Sequence, residues 1–390
     1  MFLDMLRKRN PSLVVEAAKL HRSGLLEPNT YVIDTDAVRD NAALIKQSAD
    51  AYRIKLYYMT KQFGRNPVIS RLIQETGIAK AVAVDVDEAK TLFDHGLKIG
   101  HAGHLVQIPS QDIDTVLAME PEVITCFSYA KAAEIARKAQ ERGITQGILL
   151  KVVDDGDRVY PGQEGGIKLG ELEDVALLIS ELPNLKIAGL TSFPCFLYNE
   201  GSGEILPTHN VETLHKARNI LDMLGISIWQ LNGPSATCCA AMPLLARYGI
   251  THGEPGHAFL GTTPLHAYSV QPEKPAIVYV SEVSHLGDGK AFSYGGGFYS
   301  RSEIKGALVA DDPEVILTRK YDVEEIPSEA IDYYGTILLH NQKVNVGDTV
   351  IYSFRTQIFV TRSKVALLAG LASGKPELTA IYDSQGNLLV

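Results

Sequence analysis

Long apolar runs are missing from this chain. No uninterrupted apolar stretch approaches the ~20 residues needed to cross a bilayer, which argues against a membrane-spanning protein. The opening stretch MFLDMLRKRNPSLVVEAAKL is broken by charges every few residues, with neither an apolar signal core nor a cleavage site, so a cytoplasmic location is expected. Long basic runs and aromatic-basic interleaving are absent too, and the net charge is -9, so nothing points to nucleic acid. Cysteine is sparse: Cys126, Cys195, Cys238 and Cys239 are the four in 390 residues. None has the paired spacing of a zinc site, and all four read as reduced thiols, with no metal expected.

What is present is an ordinary globular composition, 45% hydrophobic and 21% charged. At ~150 residues per domain the length suggests two or three domains. β-favouring runs alternate with amphipathic helical segments, the pattern of a parallel sheet wrapped in helices. Candidate strands are 54–60, 80–84, 104–108, 122–126, 147–153, 186–192, 227–232 and 249–253. Helical patterns cover 66–76, 86–96, 128–142, 169–181, 208–224 and 237–247. Eight such alternations predict a (β/α)8 TIM barrel, with an open doubly wound sheet as the other possibility. Beyond about residue 265 short β-rich pieces are separated by the turn signals GDGK, NVGD and DSQGN, so a C-terminal β-rich domain is expected. The predicted organisation is a helical extension over 1–28, a barrel with a leading strand over 29–265, and a β-domain over 266–390. The leading stretch NTYVIDT at 29–35 is an extra strand that could join the β-domain instead.

In a barrel, chemistry belongs at the carboxyl ends of the strands. The first strand, IKLYYMT, ends abruptly on Thr60 and Lys61. A desolvated lysine at such a tip loses its proton more easily and becomes a nucleophile for a carbonyl. The bland alternative is a solvated lysine just past a strand. In WQLNGPSATCC a strand runs into Asn232, Gly233, Pro234, Ser235, Ala236 and Thr237, which offers backbone N–H groups and hydroxyls suited to a phosphate, or else an ordinary capped turn. In THGEPGHAFLG, Glu254 precedes a turn through Gly256 and His257. A strand-tip lysine, a phosphate-suited turn and a strand-tip carboxylate together describe a pocket for pyridoxal 5'-phosphate (PLP), with Lys61 on the aldehyde, the turn on the phosphate and Glu254 on the ring nitrogen. His104, His252 and His257 lie near strand ends and read as structural histidines, with His257 close enough in sequence to the EPG turn to approach the phosphate.

These residues also carry a family resemblance. The chain resembles the alanine-racemase-like, fold type III PLP enzymes, most closely the YhfX group. The leading strand NTYVID, the lysine after strand one, and AVAVDVDEAKTLFDHGL match the family order. SEVSHLGDGKAFSYGGGFYSR resembles the segment that carries a tyrosine acting in the partner subunit's site as a second proton-transfer base; its counterpart is Tyr294. The resemblance implies a homodimer with shared active sites and a small amino-acid substrate.

Departures matter as well. Glu254-Pro255-Gly256 stands where alanine racemases have Arg-x-Gly, and it resembles the turn of the basic amino-acid decarboxylases. A carboxylate there favours a protonated, more electron-withdrawing ring. Phe193 stands where the family offers a histidine against the cofactor ring; it can stack but cannot relay a proton. In VVDDGDRVYPGQEGG, Arg158 is one residue off the expected spacing for a substrate-binding arginine, and Arg301, after SYGGGFY, is the better candidate for the substrate carboxylate. The expected activity is amino-acid racemisation with Lys61 and Tyr294 as opposite-face bases. The alternatives are a PLP-dependent decarboxylase or β-eliminating lyase, a PLP-binding protein without turnover, or a Schiff-base aldolase without PLP.

Overall fold

In the computed structural model the described residues are 1–299, 301–327 and 329–390. They form two compact units: Ile45–Thr60 with Gln74–Pro255, and Met1–Leu44 with Lys61–Ile73 and Gly256–Val390.

The first unit is a parallel β-barrel wrapped in helices. Around the barrel run the strands Tyr58–Met59, Ala81–Ala83, Ile99–Ala102, Val123–Cys126, Gln146–Val153, Leu185–Thr191, Gln230–Asn232, His252–Gly253 and Lys55–Leu56. The first and last of these are halves of one strand interrupted at Tyr57. Lys55 pairs with His252 on one side, and Tyr58 pairs with Ala81 on the other. Nine segments therefore make eight staves, and the interrupted stave closes the ring. Strands buried on both faces need no polar alternation, which is why AVAV, VITC and GILLKVV read as apolar blocks.

Packing dictates two glycines. At Gly189 a Cβ would lie 1.8 Å from the Gln230 carbonyl oxygen, and at Gly100 one would lie 2.3 Å from the Tyr57 ring. The latter explains a correction. The third stave is IGHA at Ile99–Ala102, not the more β-favouring 104–108, because tertiary contact with Tyr57 demands a small residue there and overrides propensity. The helix Ile113–Ala118, between that stave and the next, has no counterpart in the sequence reading.

The second unit is an antiparallel barrel. Strands Lys290–Tyr294, Tyr334–Leu338, Lys320–Glu324, Gly306–Ala310, Thr349–Tyr352 and Ile277–Gly287 pair in that order, and the last pairs back to the first. The leading strand Thr30–Asp34 joins this sheet, antiparallel to Ile277–Gly287 and parallel to Lys364–Ala369. The N-terminal helices Phe2–Arg9 and Pro11–Arg22 bury Leu3, Leu6, Leu13, Val14 and Ala17 against Val278, Val280, Leu308 and Ile351. No helix among the described residues is long and apolar enough to cross a membrane.

Candidate active site

The carboxyl ends of the staves bring together five polar side chains, Glu254, Asn232, Thr125, His101 and His104. Glu254, the residue directly after His252–Gly253, is buried. Its Oε1 accepts from His101 Nδ1 at 2.7 Å and from Asn232 Nδ2 at 2.8 Å. His101 Nε2 lies 2.5 Å from the Thr125 hydroxyl. A carboxylate oxygen only accepts, so His101 carries its proton on Nδ1 and its Nε2 accepts from Thr125. Glu254 Oε2 makes no hydrogen bond; His104 Nε2 is its neighbour at 3.2 Å.

Burial alone would raise the Glu254 carboxyl, but the neighbouring imidazoles of His104 and His101, with hydrogen bonds from His101 and Asn232, outweigh it and hold the group well below the ordinary carboxylate range. Glu254 is therefore ionised, and one of its oxygens is available to a donor. Phe193 closes this side of the cluster, its ring 5.7 Å from that of His104 in an edge-on arrangement and 5.7 Å from Tyr160.

The turn after Asn232 is strained in a useful way. Ser235 and Ala236 both have positive φ, 95° and 51°, which non-glycine residues adopt at a cost. Gly233 fits because a Cβ there would lie 2.9 Å from Ile250. The Ser235 hydroxyl donates to the Phe196 carbonyl, and Thr237 Oγ1 accepts from the Glu254 amide at 3.2 Å. The backbone N–H groups of Ser235, Ala236 and Thr237 have no acceptor among the described residues. Three N–H groups in succession without a protein acceptor suit an anionic group.

Lysine appears twice near strand ends. Lys61 follows directly on Thr60, whose hydroxyl is anchored by Glu88, and opens the turn Lys61–Phe63. Within its own unit that turn is held by Thr356, which donates to the Gln62 carbonyl at 3.2 Å, and by Arg65, which donates to Gln385 at 2.9 Å. Lys151, which the sequence reading passed over, is buried on Gln146–Val153; it donates to the Gln163 carbonyl at 2.8 Å and sits 4.5 Å from the Phe127 ring centre. Burial lowers it to about 8, against a small upward pull from Glu164. The signal for it was a lysine inside the otherwise apolar block GILLKVV.

The remaining predicted residues lie in different settings. His257 is held well below its usual value by desolvation and then by the charges of Arg355, Lys61, His266 and Arg301, so it is neutral; its Nε2 is 3.4 Å from Gln357 Nε2. Gly256 precedes it at φ -142°. Tyr294 ends its strand with an exposed side chain, 6.3 Å from the Tyr334 ring, while its carbonyl accepts from Ser281 at 2.7 Å. Arg301 is exposed, as is Arg158, whose amide donates to Asn210 at 3.0 Å. A donor set that was not foreseen is His101, His104 and Glu254, whose ligand atoms all lie within 4.8 Å of one another.

A parallel barrel with a strand-tip lysine and a strand-tip carboxylate, together with an antiparallel β-unit, defines the alanine-racemase class. The alanine racemase N-terminal domain family matches residues 33–264 and the YhfX-like C-terminal domain matches 278–378; the chain belongs to this alanine-racemase-like family. It is 43% identical over 389 residues to the uncharacterized protein YhfX of Escherichia coli (strain K12), covering 100% of both chains. Among solved structures it shares its fold with D-threonine aldolase from Filomicrobium marinum (TM-score 0.66, 13% identity, 92% of this chain and 95% of that one). It likewise matches Clostridium difficile 630 alanine racemase in complex with cycloserine (0.62, 15%, 91% and 98%) and D-threo-3-hydroxyaspartate dehydratase from Delftia sp. HT23 (0.63, 16%, 90% and 97%).

Proposed function

We propose that the protein is a PLP-dependent enzyme acting on small amino acids, and that its reaction is racemisation. The observation that carries the cofactor reading is Glu254 Oε2, a buried, ionised carboxylate oxygen without a hydrogen bond. With only His104 Nε2 beside it at 3.2 Å, such an oxygen gains from a hydrogen bond that a protonated ring nitrogen would supply. The three open N–H groups of Ser235, Ala236 and Thr237 are suited to the phosphate, and Lys61 supplies the amine for the aldehyde carbon.

PLP, when bound, withdraws electrons from the substrate Cα and makes its proton acidic. The residues then divide the work. Lys61 Nζ takes or returns a proton on one face of Cα, and the phenol oxygen of the partner's Tyr294 does the same on the other, so a proton removed by one base and returned by its opposite inverts the centre. Arg301 binds the substrate carboxylate through its guanidinium, with Arg158 as a second candidate, and Phe193 covers one side of the cofactor. A homodimer fits the exposed Ile331, Tyr333, Tyr334 and Val360, an apolar and aromatic set on the same unit as Tyr294.

The second reading is decarboxylation or elimination, favoured by one observation: the ring nitrogen would face a carboxylate, and a protonated ring stabilises any carbanion at Cα, however it forms. The names of the aldolase and dehydratase relatives are compatible with it. The test is the visible spectrum of purified protein with and without added PLP, borohydride trapping with peptide mapping, and incubation with amino acids in D₂O. Cofactor trapped on Lys61, with deuterium at Cα and loss of optical activity, supports racemisation. Mass loss from the substrate supports a lyase. A colourless protein from which no cofactor can be trapped sinks the PLP reading.

A further inference from the structure

The candidate site contains more organisation than a lone carboxylate needs. Thr125, His101, Glu254 and Asn232 come from four different barrel staves or their ends and form a continuous chain of hydrogen bonds: 2.5 Å from Thr125 to His101, 2.7 Å from His101 to Glu254 and 2.8 Å from Asn232 to Glu254. Thr125, His101 and Asn232 are buried along with Glu254, so water does not share these bonds. Both donors converge on the same oxygen, Oε1. A carboxylate pinned through one oxygen by two donors cannot rotate without breaking both bonds, so the position of Oε2 is fixed in advance of any ligand.

We propose that Thr125 and His101 are positioning residues that aim Glu254 Oε2 at the ring nitrogen of bound PLP and keep that nitrogen protonated; this rests on the PLP reading given above. His101 does not touch the cofactor in this scheme. It acts through Glu254, and Thr125 acts through His101 by occupying Nε2 and leaving the proton on Nδ1, where the carboxylate needs a donor.

The same three groups, His101, His104 and Glu254, are also the donor set for a divalent cation. The hydrogen bonds favour the ring nitrogen. Both nitrogens of His101 already have partners, and Oε1 already accepts twice, so a cation drawing on all three residues would have to break the His101–Glu254 bond. A ring N–H needs only Oε2, which makes no hydrogen bond and has His104 Nε2 beside it at 3.2 Å.

The experiment uses the full-length protein reconstituted with PLP labelled with ¹⁵N in the ring. Ring-nitrogen chemical shift and PLP dissociation constant are measured for wild type, Thr125→Val, His101→Leu and His101→Asn. Thr125→Val removes one hydroxyl from a buried strand without changing its shape, so it reports even if His101→Leu does not fold. The expected result is a protonated nitrogen in wild type, a shift toward neutral pyridine in Thr125→Val and further in His101→Leu, partial recovery in His101→Asn, whose amide can replace Nδ1–H, and roughly tenfold weaker PLP binding in His101→Leu. An unchanged nitrogen resonance in Thr125→Val and in folded His101→Leu overturns the positioning role while leaving PLP in place. One equivalent of zinc, iron or manganese in purified wild type, lost in His101→Leu, also overturns it, in favour of a metal centre. Failure of wild type to bind PLP at all, with Lys61 untrapped by borohydride, removes the cofactor reading and this inference together.

Discussion

Asn232 donates to Glu254 at 2.8 Å on the same carboxylate oxygen that accepts from His101, and the second oxygen is left without a hydrogen bond. In the proposed site the two oxygens have different tasks: one anchors the side chain and the other is offered to the cofactor.

Glu254→Gln tests that division. The amide keeps the size of the side chain but carries no charge, and its NH₂ would present a donor to a donor on one side or the other. PLP affinity is expected to fall by about tenfold or more and turnover by about a hundredfold or more, on the scale of losing a charged hydrogen bond. Fluorescence titration and steady-state kinetics check this. Full activity in Glu254→Gln would remove Glu254 from the site.

Tyr294→Phe separates the two catalytic readings. With one of two opposite bases gone, inversion at Cα should drop by about a hundredfold or more, whereas deuterium exchange with retention, catalysed from the Lys61 side, should persist. Chiral chromatography alongside ¹H NMR measures both. Equal losses in both would argue against a one-sided role, and a monomer by sedimentation at micromolar concentration would exclude a base shared across subunits.

His252 supplies a prediction about pH. Its imidazole is buried, stacked 5.5 Å from the Tyr57 ring, and lowered to about 4 by desolvation and then by Lys55. Between about 6.5 and that folded value the unfolded chain binds a proton that the folded chain does not. Stability contributed by the neutral ring is therefore present above the unfolded value and lost as pH falls through this window, by about 2 to 3 kcal/mol at most. Denaturant titrations from pH 7 to pH 4 should show that slope, and His252→Gln should flatten it.

Gly189→Ala should be among the most damaging single changes in the barrel. The added methyl would meet the Gln230 carbonyl at 1.8 Å, and neither strand can yield without losing its parallel pairing. A loss of more than about 3 kcal/mol is expected, seen as insolubility or a collapsed melting transition. Gly143→Ala, at a helix end with open space around it but φ +67°, should cost only about 1 kcal/mol.

Much of this architecture was legible because buried parallel strands leave uninterrupted apolar blocks. GILLKVV and KIAGLTS could scarcely be anything else, and Lys61, Asn232 and Glu254 were found by asking what stood at the ends of such blocks. The third stave escaped because IGHA is selected by packing, its glycine by the Tyr57 ring, while the neighbouring HLVQI looks more like a strand. His101 and Thr125, which complete the chain of bonds to Glu254, escaped for another reason. His101 is separated from it by 153 positions, and only ring closure brings the two side chains within 2.7 Å. The HxxH spacing at 101–104 was visible, but a pair of histidines near a strand has no meaning until the third group is placed.

The strand interrupted at Tyr57 has a consequence for assembly. Its two halves grip different neighbours, one reaching back to the final stave and the other forward to the second. The piece that zips the cylinder shut is thus the same piece that ends at Lys61. A chain lacking its last stave, His252–Gly253, has no partner for the first half of that strand, and it also lacks the carboxylate on the very next residue. Lys61 and Glu254 therefore each come just after one of the two staves that meet at the seam.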